Sequence, residues 1–408
     1  MDWKQPELLN KEAISENGFI NPEYSIPCEW IHIHYYETAN ILFRFENAFR
    51  VLVYTVLKKQ YGNEWSNIKV NQDKTVNQVY KERLALNNKH GYLGQPVSSP
   101  MLFLNSGELT YILDSEKSWA FFRQYFKADR SVIVNKLHEI NSIRNSFAHF
   151  RPINEDDLTL LKLNISHVFF NAVDFFENLY NQHSDVPSNL KEAWYQKLAN
   201  FESPNTNLFF TRSKNESWIS AVFTFKLPIV GGNTPTSSNF AHIKTTQIRL
   251  DRLLKKFNSL VAHTIFISDN LSSLPPPNQS ADLPLSVESG DFIHSIKFVF
   301  SRSTINKEHE AIVDAFKSLA ETVENDIEVI DCDNCAEGEV LVPYSFYLHR
   351  IHDKWDYSSF KKSYNNNIDD SGIVEYWGNT YGTFMNPVSD LSKIPWIKGQ
   401  ISSANYSF

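Results

Sequence analysis

The sequence predicts two domains, an N-terminal all-α helical bundle and a C-terminal α+β domain. Length is the first reason, because 408 residues are more than one average hydrophobic core fills. The second is that apolar residues between positions 30 and 182 recur at helical spacing. Beyond position 182 the chain becomes rich in proline, serine and asparagine, and it then alternates strand-like and helix-like segments. We therefore expect a helical domain at 1–183, a linker with a short helix at 184–214 and an α+β domain at 215–408.

The helical domain is predicted to begin with a long helix at 37–60, which Gly62 ends. Polar and turn-rich residues at 63–104 predict a loop that contains one short helix at 77–86. A further helix is expected after Ser106, whose side chain can cap it. An aromatic stripe at helical spacing follows, and we interpret it as core: Trp119, Phe122 and Phe126.

Two strong helical signals complete this domain. The first covers 131–150 and must end there, because Pro152 excludes the residue before it from the helical conformation. The second begins after Asn154, a good capping residue, with three carboxylates in its first turn, where the helix dipole favours negative charge. Its apolar stripe continues to Leu179. Together these elements predict an antiparallel bundle with a tight turn between its last two long helices.

The C-terminal domain is predicted from alternating strand-like and helix-like segments. The strand-like segments are 219–225, 264–268, 294–301 and 327–330. The helix-like segments are 244–261 and 307–323, and a proline-rich loop covers 272–284. This order, βαββαβ, is that of a ferredoxin-like fold. The last seventy residues show no pattern that predicts an element.

Composition narrows the class of protein. The formal net charge is −8, so any contact with nucleic acid must come from a local basic patch. Three cysteines are too few to crosslink a chain of this length, which fits a reducing compartment. The N-terminus lacks the apolar segment of a secretory signal, and the longest apolar run, 51–57, is too short to span a membrane. We expect a soluble, cytoplasmic protein without membrane contact.

The most informative motif lies at the end of the 131–150 helix. Asn145 and His149 are four residues apart and share one helix face. Arg144 is about 140° from His149 in projection, but its long side chain can reach the same cleft. Arginine can bind a phosphate, and histidine can transfer a proton near neutral pH, so the set suits metal-free cleavage of RNA. The residues also have a structural explanation, because cations favour the negative end of a helix dipole.

The segment SIRNSFAHFRP resembles the R-x4-6-H signature of the HEPN superfamily (higher eukaryotes and prokaryotes nucleotide-binding). The resemblance covers about residues 35–182. It includes FENAFR at 45–50, YGNEW at 61–65, the stretch 107–126 and the acidic helix start after Pro152. It implies an HEPN-like all-α bundle, usually a homodimer, in which two copies of the motif form one composite site. Arg144 and His149 would be catalytic, and Asn145 would orient the histidine.

The resemblance also implies a function. Many members are metal-independent endoribonucleases that need no cofactor and act as toxins or antiphage abortive-infection effectors. The expected reaction is attack of a 2′-hydroxyl on RNA, which leaves 2′,3′-cyclic phosphate ends. A C-terminal domain would then recognise a phage-derived trigger or an antitoxin, or otherwise regulate the site. The alternative is a non-catalytic HEPN module that dimerises and binds nucleotide, RNA or a protein partner.

Other residues near the motif have two interpretations each. Arg151 could contact RNA phosphate or be an ordinary surface arginine. His138 could flank the same groove, although a surface role is favoured. Glu37 and Glu46 could supply the additional acidic group that many HEPN domains carry, but we favour solvated helix charges, with Arg50 as a pair for Glu46.

Four features of the C-terminal half are candidates for further sites. Cys332, Cys335, His349 and His352 resemble a zinc knuckle by count, but the His-x2-His spacing is shorter than usual, and a redox pair or two unrelated thiols are the alternatives. The basic residues of 244–261 could face RNA or an acidic partner, and a solvated helix face is favoured. Phe298 and Phe300 alternate like stacking residues on an RNA-binding sheet, but core packing is favoured. Residues 230–233 form a turn without the features of a phosphate loop.

Overall fold

The structure is a computed structural model. It describes residues 7–8, 24–25, 33–90, 100–185, 191–199, 201, 203–226, 234–237, 240–271, 293–333, 336–351 and 354–356. The α-helices are α1 (Ile33–Tyr61), α2 (Val76–His90), α3 (Ser106–Asp114), α4 (Glu116–Phe122), α5 (Arg130–Ala148), α6 (Glu155–Val168), α7 (Ala172–Tyr180), α8 (Ala193–Leu198), α9 (Leu250–Lys256), α10 (Asn258–His263), α11 (Arg302–Lys307) and α12 (His309–Cys332). Short 3-10 helices in the described part of the chain lie at Gly62–Asn67, Pro100–Phe103 and Arg123–Tyr125.

Among the described residues, the β-strands form a two-stranded sheet and two larger sheets, all with antiparallel neighbours. They are β1 (Glu7–Leu8), β2 (Tyr24–Ser25), β3 (Gln182–Asp185), β4 (Thr206–Ser213), β5 (Trp218–Lys226), β6 (Thr234–Ser237), β7 (Phe240–Ile248), β8 (Phe266–Leu271), β9 (Ile293–Ser301), β10 (Leu341–Ile351) and β11 (Lys354–Asp356). A mixed architecture, helical first and α+β afterwards, is therefore confirmed at this coarse level. The segments predicted as a proline-rich loop (272–284) and a turn (230–233), and most of the last seventy residues, lie outside the described residues.

Helix α1 is the central element of the helical unit. Its residues from Val51 to Leu57 are all buried, so this part of the helix is covered on every side rather than along one stripe. The core around it includes residues from α3, α5, α6 and α7, such as Leu109, Ile140 and Ile165. The predicted end at Gly62 is confirmed: its φ of +55° is a left-handed conformation that glycine adopts without strain. The aromatic stripe is core as predicted, with Phe122 and Phe126 buried and Trp119 packed against them.

Helix starts follow from local hydrogen bonds. Asn154 caps α6 as predicted, in a capping box with Asp157. The cap of α3 was predicted at Ser106 and is instead Asn105, which forms a capping box with Glu108. The single helix predicted after Asn154 is two helices, α6 and α7, separated by a turn at 169–171.

The larger sheet has the strand order β3-β4-β5-β9-β8, with antiparallel neighbours throughout. Strand β9 lies between β5 and β8, which consequently run parallel, so part of the predicted split βαβ pattern is present. The rest of the ferredoxin-like pattern is wrong. Residues 327–330 belong to α12, because Val323, Ile327 and Ile330 continue its buried stripe. The fourth strand beside β5 is β4, which lies in the segment predicted as a linker; the short helix predicted there is α8.

The second sheet has the order β11-β10-β7-β6. Its central pair, β7 and β10, aligns Ile248 with Leu341, so strands about a hundred residues apart are joined. The helix predicted at 244–261 is therefore wrong at its start: 244–248 belong to β7, and the helical part is α9 and α10.

One face of the five-stranded sheet packs on α12, where Phe298 and Phe316 meet with ring centroids 5.4 Å apart. The opposite face packs on the helical unit, because Trp218, Phe266 and Val299 belong to the same core cluster as α1. The Tyr54 hydroxyl donates to the Ile265 carbonyl at 3.0 Å across this boundary. None of the described helices combines the length and apolar composition needed to cross a bilayer.

Candidate active site

The motif residues lie at the C-terminal end of α5. Arg144 and Asn145 are in its last two turns, and His149 is the residue at which the helix ends. The backbone N–H of His149 donates to the Asn145 carbonyl at 3.1 Å, so His149 and Asn145 are one helical turn apart. The side chains of Asn145, His149 and Arg151 are exposed, and Arg144 keeps 33% of its side-chain surface.

Arg144 and Asn145 line an open polar pocket of about 240 Å³ between α5 and the start of α3. Asn141, one turn before Asn145, lines it from the same helix. The opposite wall is formed by Asn105, Ser106 and Gly107. The volume is below the roughly 300–1,000 Å³ of pockets for drug-sized ligands, so it suits one small polar group such as a phosphate.

The side-chain amides of Asn105 and Asn141 each make a hydrogen bond to a neighbouring residue in this pocket. Asn105 accepts from the Glu108 N–H at 2.9 Å through its oxygen, and Asn141 donates to the Thr110 hydroxyl at 3.1 Å through its nitrogen. These bonds leave the Asn105 nitrogen and the Asn141 oxygen as a donor and an acceptor for a further group. Sequence analysis missed both residues. Asn141 could have been found, because it lies four residues before Asn145 on the same helix face.

A charged cluster lies behind Arg144. Glu46 on α1 is 3.8 Å from the Arg144 Nε and 2.5 Å from an Arg50 nitrogen. Arg50 also donates to the Leu104 carbonyl at 2.8 Å and to the Asn47 side chain at 3.0 Å. The expected pair of Glu46 and Arg50 is confirmed. The interpretation of Glu46 as a solvated charge is wrong, because its side chain is only 13% exposed and faces the motif arginine.

Electrostatics in this cluster act on Arg50. Burial lowers the pKa of its guanidinium, and the positive charge of Arg144 lowers it further, whereas the Glu46 carboxylate opposes both effects. The Glu46 carboxylate thus contacts both Arg50 and Arg144, and its negative charge offsets the repulsion between the two guanidinium groups.

The turn after α5 gives the end of the motif its shape. Phe150 has φ +54°, and the N–H groups of Phe150 and Arg151 donate to the carbonyls of Phe147 and Ser146 at 3.0 and 2.9 Å. This pair of bonds is a Schellman motif. Tyr35 on α1 supports the turn, since its hydroxyl donates to the Phe147 carbonyl and its ring stacks on Phe147 at 4.5 Å.

The remaining candidate residues near the motif have other positions. Glu37 pairs with Lys162 at 2.5 Å, with both side chains 42% exposed, so the interpretation as a surface charge is confirmed. His138 is exposed on α5, three turns before His149, and does not line the pocket.

The candidate sites of the C-terminal half are not assembled among the described residues. Cys332 is exposed at the end of α12 and His349 lies on β10, but Cys335 and His352 lie outside the described residues. In the described part of the chain, no three His, Cys, Asp or Glu side chains lie together as metal ligands would.

Two other interpretations can be compared with the structure. Basic residues at 244–261 have acidic partners: Arg252 lies 2.6 Å from Glu337, and Lys256 pairs with Glu339. Phe298 and Phe300 are fully buried, which confirms core packing.

No family model, curated protein or solved structure matches this chain. The resemblance to the HEPN superfamily consequently stays a prediction from the motif, and the geometry at the end of α5 is what supports any function.

Proposed function

We propose that the chain is a metal-independent endoribonuclease whose site is built around Arg144 and His149. The observation that carries the proposal is the polar pocket beside α5. A guanidinium, which binds phosphate well, lines this pocket together with Asn145. An exposed imidazole follows one turn after Asn145.

The reaction needs one group that accepts a proton and one that donates a proton. A base removes the proton from a ribose 2′-hydroxyl, the oxygen attacks the adjacent phosphorus, and an acid protonates the departing 5′-oxygen. The products are a 2′,3′-cyclic phosphate and a 5′-hydroxyl. His149 acts as acid or base in one of these steps, Asn145 orients it, and Arg144 binds the phosphate and stabilises its developing charge.

We further propose that two copies of the chain form the site. His149 does not line the pocket that contains Arg144 within one chain, and its exposed position leaves it accessible to a second copy. In this arrangement the phosphate pocket of one copy receives its proton-transfer group from the motif of the other. We place the enzyme in the cytoplasm as a toxin or an antiphage abortive-infection effector. Its C-terminal unit responds to a phage-derived trigger or binds an antitoxin.

The test is cleavage of a mixed RNA pool by purified protein in EDTA. His149→Ala and Arg144→Ala should each lower the rate by about 10²-fold or more, as expected for loss of acid–base catalysis or of a transition-state contact. The matched controls are His167→Ala on α6 and Arg123→Ala after α4, both exposed and outside the pocket. Equal cleavage by wild type and both motif variants would refute the proposal.

One observation favours the non-catalytic alternative. The pair between Arg144 and Glu46 gives the arginine a structural role that would hold α5 against α1. In that case Arg144→Ala lowers the free energy of unfolding, and His149→Ala has no effect on cell growth or on phage resistance. Expression of both variants in cells under phage challenge separates the two functions.

A further inference from the structure

The turn that ends α5 places a phenylalanine where other residues are strongly preferred. Phe150 occupies the left-handed position of the Schellman motif, with φ +54°. Glycine is the usual residue there, and asparagine the next, because a β-carbon is strained in this conformation. The turn's two hydrogen bonds are made by the backbone, so the turn itself does not require the ring.

The ring contributes little to the core. Phe150 is 85% exposed, more than any other large apolar side chain in the part of the chain that the structure describes. Strain and exposure both disfavour this residue at this position. Strained residues of this kind cluster at functional sites, which directs attention to what the ring contacts when the protein acts.

The surroundings of the ring are suited to a nucleotide. Tyr35 lies parallel to Phe150 within 11°, with ring centroids 6.3 Å apart, and Tyr35 is itself fixed on Phe147. The neighbours in sequence, His149 and Arg151, are both exposed. An exposed aromatic ring thus lies between an exposed histidine and an exposed arginine in the sequence, at the end of the motif.

We propose that Phe150 is a stacking platform for a nucleobase of single-stranded RNA, next to the scissile phosphate, while Arg151 contacts the backbone. This inference rests on the proposed function and names the form of its substrate. Stacking on an aromatic ring beside a cation is how proteins bind single strands without reading sequence. An exposed arginine next to the ring in sequence favours a polyanionic strand, and a second protein surface is the alternative that the experiment below tests.

The experiment measures binding of a short fluorescent single-stranded RNA by anisotropy, with His149→Ala as the parent so that the RNA stays intact. Adding Phe150→Gly should weaken binding about 5- to 100-fold, the loss expected for one stacked base. The same change should raise the midpoint of thermal unfolding, because glycine relieves the strained backbone. Adding Phe150→Trp should retain binding. The control, Phe170→Gly, removes a ring that is 60% exposed away from the motif and should leave binding unchanged.

Weaker binding together with higher stability cannot arise from a ring whose role is structural, so this combination supports the proposal. Unchanged binding by Phe150→Gly overturns it, as does a parent that binds no RNA. A loss of dimer in sedimentation that accompanies Phe150→Gly also overturns it and assigns the ring to a second copy. RNA cleavage by the wild type is scored separately: cleavage without an effect of Phe150→Gly refutes this inference alone, and the absence of both cleavage and binding refutes the proposed function as well.

Discussion

The strongest quantitative prediction concerns Glu46, and its matched control lies on the same helix. Glu46 and Glu37 both lie on α1, and each pairs with a cation. They differ in burial. The side chains of Glu46 and Arg50 are 13% and 12% exposed, whereas Glu37 and Lys162 are both 42% exposed. Burial should therefore decide which pair stabilises the protein.

The magnitude follows from what each change leaves behind. Removing one partner of a buried ion pair costs about 3–5 kcal/mol, because the other charge stays in a poorly solvated position. Glu46→Gln keeps an oxygen that can accept the hydrogen bond of Arg50, so we expect about 2–4 kcal/mol. Exposed pairs contribute about 0–1 kcal/mol, and we expect a loss in that range for Glu37→Gln.

The assay is the free energy of unfolding from urea titrations of the wild type and both variants. If Glu37→Gln and Glu46→Gln lose the same free energy of unfolding, Glu46 and Arg50 do not form a stabilising buried ion pair, and the argument fails.

A second measurement connects stability to function. Without the carboxylate, Arg50 repels Arg144, and we expect RNA cleavage by Glu46→Gln to fall roughly tenfold or more in kcat/KM, which corresponds to about 1.4 kcal/mol.

Three more predictions test other parts of the structure. Gly338→Ala should lower the free energy of unfolding by about 2–4 kcal/mol in urea, because its β-carbon would displace Asp326, which accepts three backbone N–H groups at 2.9–3.0 Å. Burial lowers the pKa of His263, so the unfolded chain binds its proton more readily, and stability should fall as pH drops below about 6.5. His263→Gln should make that pH dependence shallower in thermal unfolding. Asn154→Ala should cost about 1 kcal/mol through loss of the α6 cap, measured by urea titration.

Two of these predictions have a matched control variant. Asp314 is an exposed aspartate on the same helix as Asp326, and Asp314→Ala should leave the free energy of unfolding almost unchanged. If Gly338→Ala changes the free energy of unfolding as little as this control does, the proposed clash with Asp326 is excluded. For the pH dependence, His167→Gln serves as an exposed control, and an identical slope for it and His263→Gln would reject the assignment to His263.

What could be predicted from sequence was local. The cap at Asn154 and the shared face of Asn145 and His149 depend only on spacing within one helix, and the structure has the cap and places these two residues one turn apart. The elements that were wrong depend on distant partners. Lys244 to Ile248 form a strand because β10, about a hundred residues later, supplies the hydrogen-bonding partner. No spacing within 244–261 encodes that contact.

The segment 327–330 illustrates the opposite error. Its β-branched residues favour a strand locally, but Ile327 and Ile330 extend the stripe by which α12 packs on the sheet, and burial decides the conformation.

The residues of the candidate site also differ in whether the sequence alone could reveal them. Arg144 could be found from its motif, whereas Glu46 and the wall at Asn105 reach it only through the packing of α1 and α3 on α5.

The shared core of the two units has a consequence for synthesis on the ribosome. The cluster around α1 includes Trp218, Phe266 and Val299, so the helices are translated long before the last residues that cover them. Strand β9 must also insert between β5 and β8, which were made earlier. A nascent chain that ends before Val299 therefore exposes apolar surface of the bundle, and it is a natural client for chaperones until the sheet closes over it.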